Sequence, residues 1–168
     1  IPGSGKTTVL RDLARSLSIG RNCNMRKVSV IDQRNEIAAV SGGNTGFDLG
    51  LCDILSGYSK DVGMIQAIKS LSPEVIICDE IGSLEEANAI KQCLNAGVKI
   101  IASMHAESLT ELFSRDIFKV FFKSKAFDEI IMLDKNIGKI SGIYKVDDLI
   151  DKIYRNSYDN NFICGNRI

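Results

Sequence analysis

The sequence has no excess of either charge, no long apolar run and no paired cysteine motif. Lys plus Arg and Asp plus Glu balance at 21 each, so the chain lacks the overall basic field typical of nucleic-acid and anionic-membrane binders. No apolar run reaches the length of a bilayer-spanning helix, and the first residues resemble neither a signal peptide nor a transit peptide. The five cysteines are scattered, without a C-x-x-C pair, which argues against a disulfide scaffold and a zinc site. We therefore expect reduced thiols and a globular protein.

The composition is that of an ordinary single domain. The chain has 168 residues, of which 45% are hydrophobic and 25% are charged, enough apolar material for a packed core. It contains no internal repeat and no low-complexity segment. We predict one domain over residues 1–156 and a polar C-terminal tail over residues 157–168.

The chain begins with most of a phosphate-binding loop. A P-loop follows the pattern G-x-x-x-x-G-K-[ST], and Gly5, Lys6 and Thr7 fill its last three fixed positions. Its first glycine and the strand that feeds it would lie upstream, so we expect a preceding segment. In such a loop backbone N–H groups bind an anion, Lys6 neutralises the β- and γ-phosphates, and the Thr7 hydroxyl binds Mg²⁺. The predicted nucleotide-binding residues of the loop are Pro2, Gly3, Ser4, Gly5, Lys6, Thr7 and Thr8.

Predicted helices and strands alternate after the loop. A helix with Leu10, Leu13 and Leu17 on one face ends at Gly20, and its position argues against a coincidental G-K-T turn. It is followed by the strand KVSVID, the glycine-rich loop GGNTGFDLG, the helix SKDVGMIQAIKSLSP, the strand EVIICDE, the helix SLEEANAIKQCLNAG and the strand VKIIASMH. This order predicts an α/β fold with a mostly parallel sheet and flanking helices. A C-terminal β-hairpin and helix are expected over residues 128–156.

Two acidic residues follow a buried strand. Asp79 and Glu80 come directly after VIIC, at the strand end where open α/β sheets bind ligands. We expect Asp79 to hold Mg²⁺ through water and Glu80 to polarise the attacking water. Solvated surface charge or a helix cap is the alternative for such a pair, and the upstream P-loop makes it the weaker one.

His105 is the single histidine and ends the next predicted strand. A polar side chain there can contact the γ-phosphate and report its presence. A structural histidine is the alternative. The position beside two phosphate-site motifs favours the sensing role.

Other charged residues near strand ends have roles that spacing leaves open. Asp32 or Glu36 would touch the nucleotide site or a neighbouring subunit, while Arg34 would form a structural ion pair or act as an arginine finger in trans. Arg115 and Lys60 are further finger candidates. Ordinary surface charge is the alternative for both.

Five ordered segments resemble the stage III sporulation protein AA family, RecA-like ATPases of endospore-forming bacteria related to the secretion ATPases of type II and type IV systems. The resemblance runs from Ile1 to about Lys145. The segments are PGSGKTTVLRDLAR, VIDQRNEIAAV, CDILSGYSKDVGMIQAIKSLSPEVIICDEIG, AGVKIIASMHAESL and FDEIIMLD. Five segments in order are more specific than any one of them.

The resemblance implies a RecA-like P-loop NTPase that uses ATP and Mg²⁺. By position, Lys6 and Thr7 match the P-loop, Asp79 and Glu80 match the Walker B pair, and His105 matches the histidine box of the secretion ATPases. The implied assembly is a hexamer, peripheral to the cytoplasmic, mother-cell face of the forespore membrane. It would energise assembly or transport by membrane-embedded sporulation channel proteins.

The sequence departs from the family pattern at two places. Arg34 and Glu36 fall in a segment resembling the family's D-E-R-x-E-I stretch, but Gln33 replaces an acid there. The family is also expected to have an arginine just before Asp53, where this chain has Leu51 and Cys52. The second departure removes an expected inter-subunit arginine.

Two other functions fit parts of the sequence. A nucleotide-gated switch or scaffold without efficient turnover is favoured by Leu51 and opposed by the intact Glu80. A nucleic-acid motor shares the same core, because a fold does not determine its substrate. The neutral net charge argues against a nucleic-acid partner.

Overall fold

The computed structural model describes residues 3–134, 136 and 139–149, which contain eleven numbered helices and strands and a further helical segment at residues 146–149. The helices are α1 (Lys6–Ile19), α2 (Lys60–Ser70), α3 (Leu84–Asn95), α4 (Leu109–Ser114) and α5 (Asp116–Lys123). The strands are β1 (Val28–Asp32), β2 (Asp53–Ser56), β3 (Val75–Cys78), β4 (Lys99–Ala102), β5 (Glu129–Leu133) and β6 (Ile140–Lys145). The predicted tail and Pro2 lie outside the described residues.

Strands β1 to β4 form a parallel sheet in the order β2-β1-β3-β4. β1 pairs with β2 on one side and with β3 on the other, and β4 pairs with β3. Because all four strands run in the same direction, their carboxyl ends lie at one edge of the sheet. The segments that begin with Asp79, directly after β3, and with Ser103, directly after β4, therefore start side by side.

Helices cover both faces of the sheet. On one face Val30 of β1 and Ile77 of β3 pack with Leu10 of α1. On the other face Ile31 of β1 packs with Met64 of α2, and α3 covers the neighbouring strands. β1 is buried along its whole length, although its alternating sequence is typical of a half-exposed strand. The helices on both faces explain the difference.

Gly63 allows α2 to approach the sheet closely. A Cβ atom added at this position would lie 2.6 Å from Cγ2 of Ile31, a separation that real side chains do not adopt. Glycine is therefore required here by packing, despite its cost to helix stability. The close approach sets the position of the N-terminal end of α2, where Lys60 lies.

Three elements go beyond those predicted from the sequence. β2 has only four half-buried residues, and α4 and α5 follow the segment that contains His105. Rings of these two helices pack together, with centroids 5.2 Å apart for Phe113 and Phe118 and 4.5 Å apart for Phe118 and Phe122. Phe118 and Phe121 of α5 are buried in the core, where α5 packs against α3.

The predicted C-terminal hairpin is present. β5 and β6 pair antiparallel, with Ile131 opposite Ile143, and residues 146–149 are helical. An apolar groove of about 370 Å³ lies between β4 and the hairpin, where Leu13, Ile101 and Ile130 line it. The rest of the predicted terminal helix lies outside the described residues.

The four described cysteines, Cys23, Cys52, Cys78 and Cys93, are free thiols. Cys78 and Cys93 are buried in the core, and burial raises the pKa of Cys93 to about 11. These two therefore act as small apolar side chains. Among the described helices, none combines the length and apolar character that crossing a membrane requires.

Candidate functional site

The predicted phosphate-binding loop leads directly into α1. Gly3 and Gly5 have φ angles of 75° and 85°, a conformation that glycine adopts without steric cost. Helix α1 begins at Lys6, and the Val9 N–H donates to the Gly5 carbonyl at 2.9 Å. The first turn of this helix contains no acidic side chain. The positive end of the helix dipole therefore faces the loop without a local counter-charge, as an anion site requires.

The hydroxyl-bearing residues of the loop differ in exposure. Ser4 is buried, Thr7 is half-buried and Thr8 is exposed. Thr7 follows Lys6 in the first turn of α1, so both belong to the helix end that faces the loop. The prediction for Pro2 lies outside the described residues.

Lys6 and His105 lie next to each other, although they are 99 positions apart in the chain. The Lys6 Nζ is 3.5 Å from His105 Nε2. Partial burial, and then the positive charge of Lys6, lower the pKa of His105, and Arg115 acts in the same direction while Glu80 opposes it. A neutral imidazole can accept a hydrogen bond from the ammonium. The loop and the end of β4 therefore form one electrostatic site.

Asp79 is a buried carboxylate with unused acceptor capacity. It is 2% exposed, and neither side-chain oxygen accepts a hydrogen bond within the described residues. Burial raises the pKa of its carboxyl, and the Lys60 ammonium, 3.8 Å from Oδ1, opposes the rise. Asp32, Glu36 and Glu80 are close enough to raise this pKa further. Such a carboxylate fits a hard divalent cation, which prefers oxygen ligands.

Glu80 has a strained backbone that is held on both sides. Its φ angle is 30°, a value that residues other than glycine rarely adopt. Its N–H donates to Ser103 Oγ at 3.0 Å, and its carbonyl accepts from Lys60 Nζ at 3.0 Å. The Glu80 carboxylate accepts a hydrogen bond from Arg34 Nη1 at 3.1 Å. Ser103 carries no motif in the sequence, because only the pairing of strands brings it to Glu80.

The finger candidates occupy three different environments. Arg34 forms an ion pair with Glu80 of its own chain, which matches the ion-pair alternative. Arg115 pairs with Glu111 at 2.5 Å. The side chain of Lys60 is only 6% exposed. The interpretation of Lys60 as surface charge is therefore wrong, and a side chain so buried does not reach a neighbouring subunit.

Asp32 points into its own loop. Its Oδ1 accepts from the Glu36 N–H at 2.9 Å, and its Oδ2 accepts from the N–H groups of Ile37 and Ala38 at 3.1 and 2.7 Å. Because its carboxylate accepts three backbone N–H groups, Asp32 supports the loop after β1. The Glu36 side chain is exposed.

We expect Asp32→Ala to lower the free energy of unfolding by about 2 kcal/mol, because N–H groups bonded to a buried carboxylate lose their acceptor. Asp32→Asn keeps an acceptor oxygen and should lose less. Urea unfolding of both variants and the parent measures the difference. A change in Asp32→Ala below about 0.5 kcal/mol, the usual size of a neutral surface effect, would contradict this role.

Comparison with known proteins decides the family. A family model described as sporulation stage III, protein AA, matches residues 1–149. The chain belongs to the stage III sporulation protein AA family. This confirms the resemblance identified from five sequence segments.

A stage III sporulation protein AA of Bacillus subtilis (strain 168) is 40% identical to this chain over 150 residues. The match covers 87% of this chain and 49% of the relative, so the chain spans about half the length of that protein. A second relative is the uncharacterized protein ycf45 of Cyanidium caldarium. It is 35% identical over 117 residues, which cover 66% of this chain and 33% of the relative.

Among solved structures, that of the Legionella pneumophila ATPase DotB is similar to this chain. The TM-score is 0.50 and the identity 18%, with 77% of this chain and 37% of that chain covered. At this identity the likeness shows the fold alone. It confirms the predicted α/β fold with a mostly parallel sheet and flanking helices.

Proposed function

We propose that this domain binds Mg²⁺ and ATP, hydrolyses the ATP, and works in a ring-shaped motor. The observation that supports this most directly is the meeting of three chain segments. Lys6 at the start of α1 and Glu80 in the segment after β3 both lie within electrostatic reach of His105, which is in the segment after β4. Open α/β sheets bind ligands at this edge, and a P-loop ATPase uses a lysine on the β- and γ-phosphates and a residue that orients the attacking water there.

Binding would be the task of the loop and the first turn of α1. Backbone N–H groups at the start of α1, together with the Lys6 ammonium, neutralise phosphate charge without reorganising, because the helix already holds them. Thr7 and Asp79 would hold Mg²⁺, the latter through water. When bound, this ion neutralises charge on the transferred phosphoryl group.

Hydrolysis would depend on Glu80 and His105. The Glu80 carboxylate orients and polarises the attacking water, and the hydrogen bonds on both sides of its peptide fix its direction. His105 contacts Lys6 and is proposed to sense the γ-phosphate, because a new negative charge beside it would change its hydrogen bonding.

A neighbouring subunit would complete the site. Arg34 and Arg115 are the candidates for an arginine supplied by the neighbouring copy, and each pairs with an acid of its own chain in this structure. A hexamer, peripheral to the cytoplasmic face of a membrane and acting on membrane-embedded sporulation channel proteins, is the assembly that we propose. Family membership supports this context.

ATP turnover per subunit, measured over a range of protein concentrations, tests the ring motor. We expect turnover per subunit to rise with concentration, because a neighbouring copy completes each site. Lys6→Ala, which we expect to lose phosphate binding, serves as the blank. A rate that stays flat over the concentrations at which the protein assembles would contradict completion in trans.

A nucleotide-gated switch is the second candidate function. It is favoured by the ion pair between Arg34 and Glu80, which occupies the carboxylate needed for hydrolysis, and by the exposed Leu51 at the position of the family's arginine. A low, flat rate that Glu80→Gln does not reduce would support this candidate over the motor. The function of such a switch would be to bind a partner in a nucleotide-dependent way.

A further inference from the structure

Lys60 has an unusual position for a lysine. It is the first residue of α2, and only 5% of it is exposed. The helix dipole opposes a cation at a helix N-terminus, and an ammonium removed from water needs partners. Its placement therefore depends on the groups that surround it.

Three acceptors surround this ammonium. Lys60 Nζ donates to the Glu80 carbonyl at 3.0 Å and to Glu86 Oε1 at 3.4 Å, and it lies 3.8 Å from Asp79 Oδ1. These groups come from the segment after β3 and from α3. A single side chain thus connects the start of α2 with both acids of the proposed site.

Glu86 holds the segment between β3 and α3 at the end nearer to α3. Its Oε2 accepts from the N–H groups of Gly82 and Ser83 at 2.6 and 2.9 Å, and the Ser83 hydroxyl accepts from the Glu86 N–H in a capping box. Because Lys60 bonds to Glu86 as well as to Glu80, it fixes both ends of the segment between β3 and α3.

We propose that Lys60 is a positioning residue that holds the Glu80 peptide in its strained conformation and thereby aims the Glu80 carboxylate. A strained backbone persists only where its surroundings over-determine it. Ser103 holds the N–H side of Glu80, and Lys60 holds the carbonyl side. As far as turnover is concerned, the inference rests on the proposed ATPase function.

Lys60→Met removes the ammonium and keeps an unbranched side chain. We expect kcat to fall roughly 10- to 100-fold, because a misplacement of a reacting group by about 1 Å can cost as much as 100-fold. The KM for ATP and the ATP-induced thermal shift should stay close to those of the parent, since Lys60 does not belong to the phosphate-binding loop. Lys69→Met, an exposed lysine of the same helix, is the matched control and should behave as the parent.

A second variant separates an effect on kcat from a loss of stability. Lys60→Met leaves the carboxylates of Asp79 and Glu86 without their shared cation, which is destabilising. Glu86→Gln added to Lys60→Met removes one of these two charges and keeps an acceptor oxygen for the capping box. We expect the same loss of kcat in this folded double variant, with Glu86→Gln alone as its reference.

Amide hydrogen exchange provides a readout that needs no turnover. The N–H groups of Glu80 and Ile81 both donate to Ser103, and we expect them to exchange about tenfold faster without Lys60, the effect of losing one hydrogen bond. Unchanged exchange, or a kcat within about threefold of the parent in a folded variant, would overturn the inference. A parent without any turnover would overturn the proposed function, and the exchange rates would still decide the role of Lys60.

Discussion

Replacing Glu80 with glutamine is expected to lower ATP turnover by roughly 10²–10⁴-fold, the usual contribution of a positioned general base. Glutamine has nearly the same shape and keeps an oxygen that can accept from Arg34, but it cannot take a proton from water. The backbone bonds from Ser103 and Lys60 do not involve the side chain. The variant should therefore fold and bind ATP as the parent does.

The measurement is kcat for ATP together with the ATP-induced thermal shift. A drop in kcat with an unchanged shift assigns the loss to the chemical step, because binding is intact. Glu85→Gln is the control, since Glu85 is an exposed acid at the start of α3. Equal turnover in Glu80→Gln and the parent would remove Glu80 from the mechanism.

The parts of the site encoded over short stretches of chain were predictable. Gly5 supplies a positive φ angle directly before the helix that begins at Lys6, so sequence pattern and backbone geometry agree. Asp79 follows four consecutive apolar residues, VIIC, which predicted both the strand and its end. All four are buried in the structure. His105 follows the next strand and its Nε2 lies 3.5 Å from Lys6 Nζ, whereas its role as a phosphate sensor stays a prediction.

The supporting residues were not predictable, because tertiary packing brings them to the site. Ser103 and Lys60 lie 23 and 20 positions from Glu80 in the chain, and no spacing rule connects them. A lysine is also expected at the surface unless it is paired. Only the register of β3 against β4 and the close approach of α2 at Gly63 show why these two side chains reach Glu80.

Of the elements that were not predicted, β2 has almost no pattern in the sequence, whereas α5 has a clear helical one. β2 is a four-residue edge strand of the described sheet, between glycines at positions 50 and 57, too short for any periodic pattern. By contrast, α5 places Phe118, Phe121 and Phe122 at the spacing of one helical face. That helix could have been predicted from the sequence, whereas β2 required the partner strand β1.

Replacing Lys6 with alanine is expected to abolish the stabilisation that ATP gives. At an ATP concentration 100-fold above Kd, the parent should gain about 2.7 kcal/mol in the free energy of unfolding. The variant loses the ammonium that neutralises phosphate charge, and it keeps the helix, because alanine is a strong helix former. Thermal unfolding with and without Mg²⁺ and ATP measures the effect. Lys91→Ala, an exposed lysine of α3, is the control and should keep the full gain.

The only histidine of the chain gives an independent check on the same variant. Because the Lys6 charge lowers the pKa of His105, this pKa should rise in Lys6→Ala, and an NMR titration of the single imidazole resolves it. A raised pKa with a lost ATP effect would support both the contact and phosphate binding at the loop. A raised pKa with an unchanged ATP effect would mean that Lys6 lies beside His105 but that ATP binds elsewhere, and the assignment of the P-loop would be wrong.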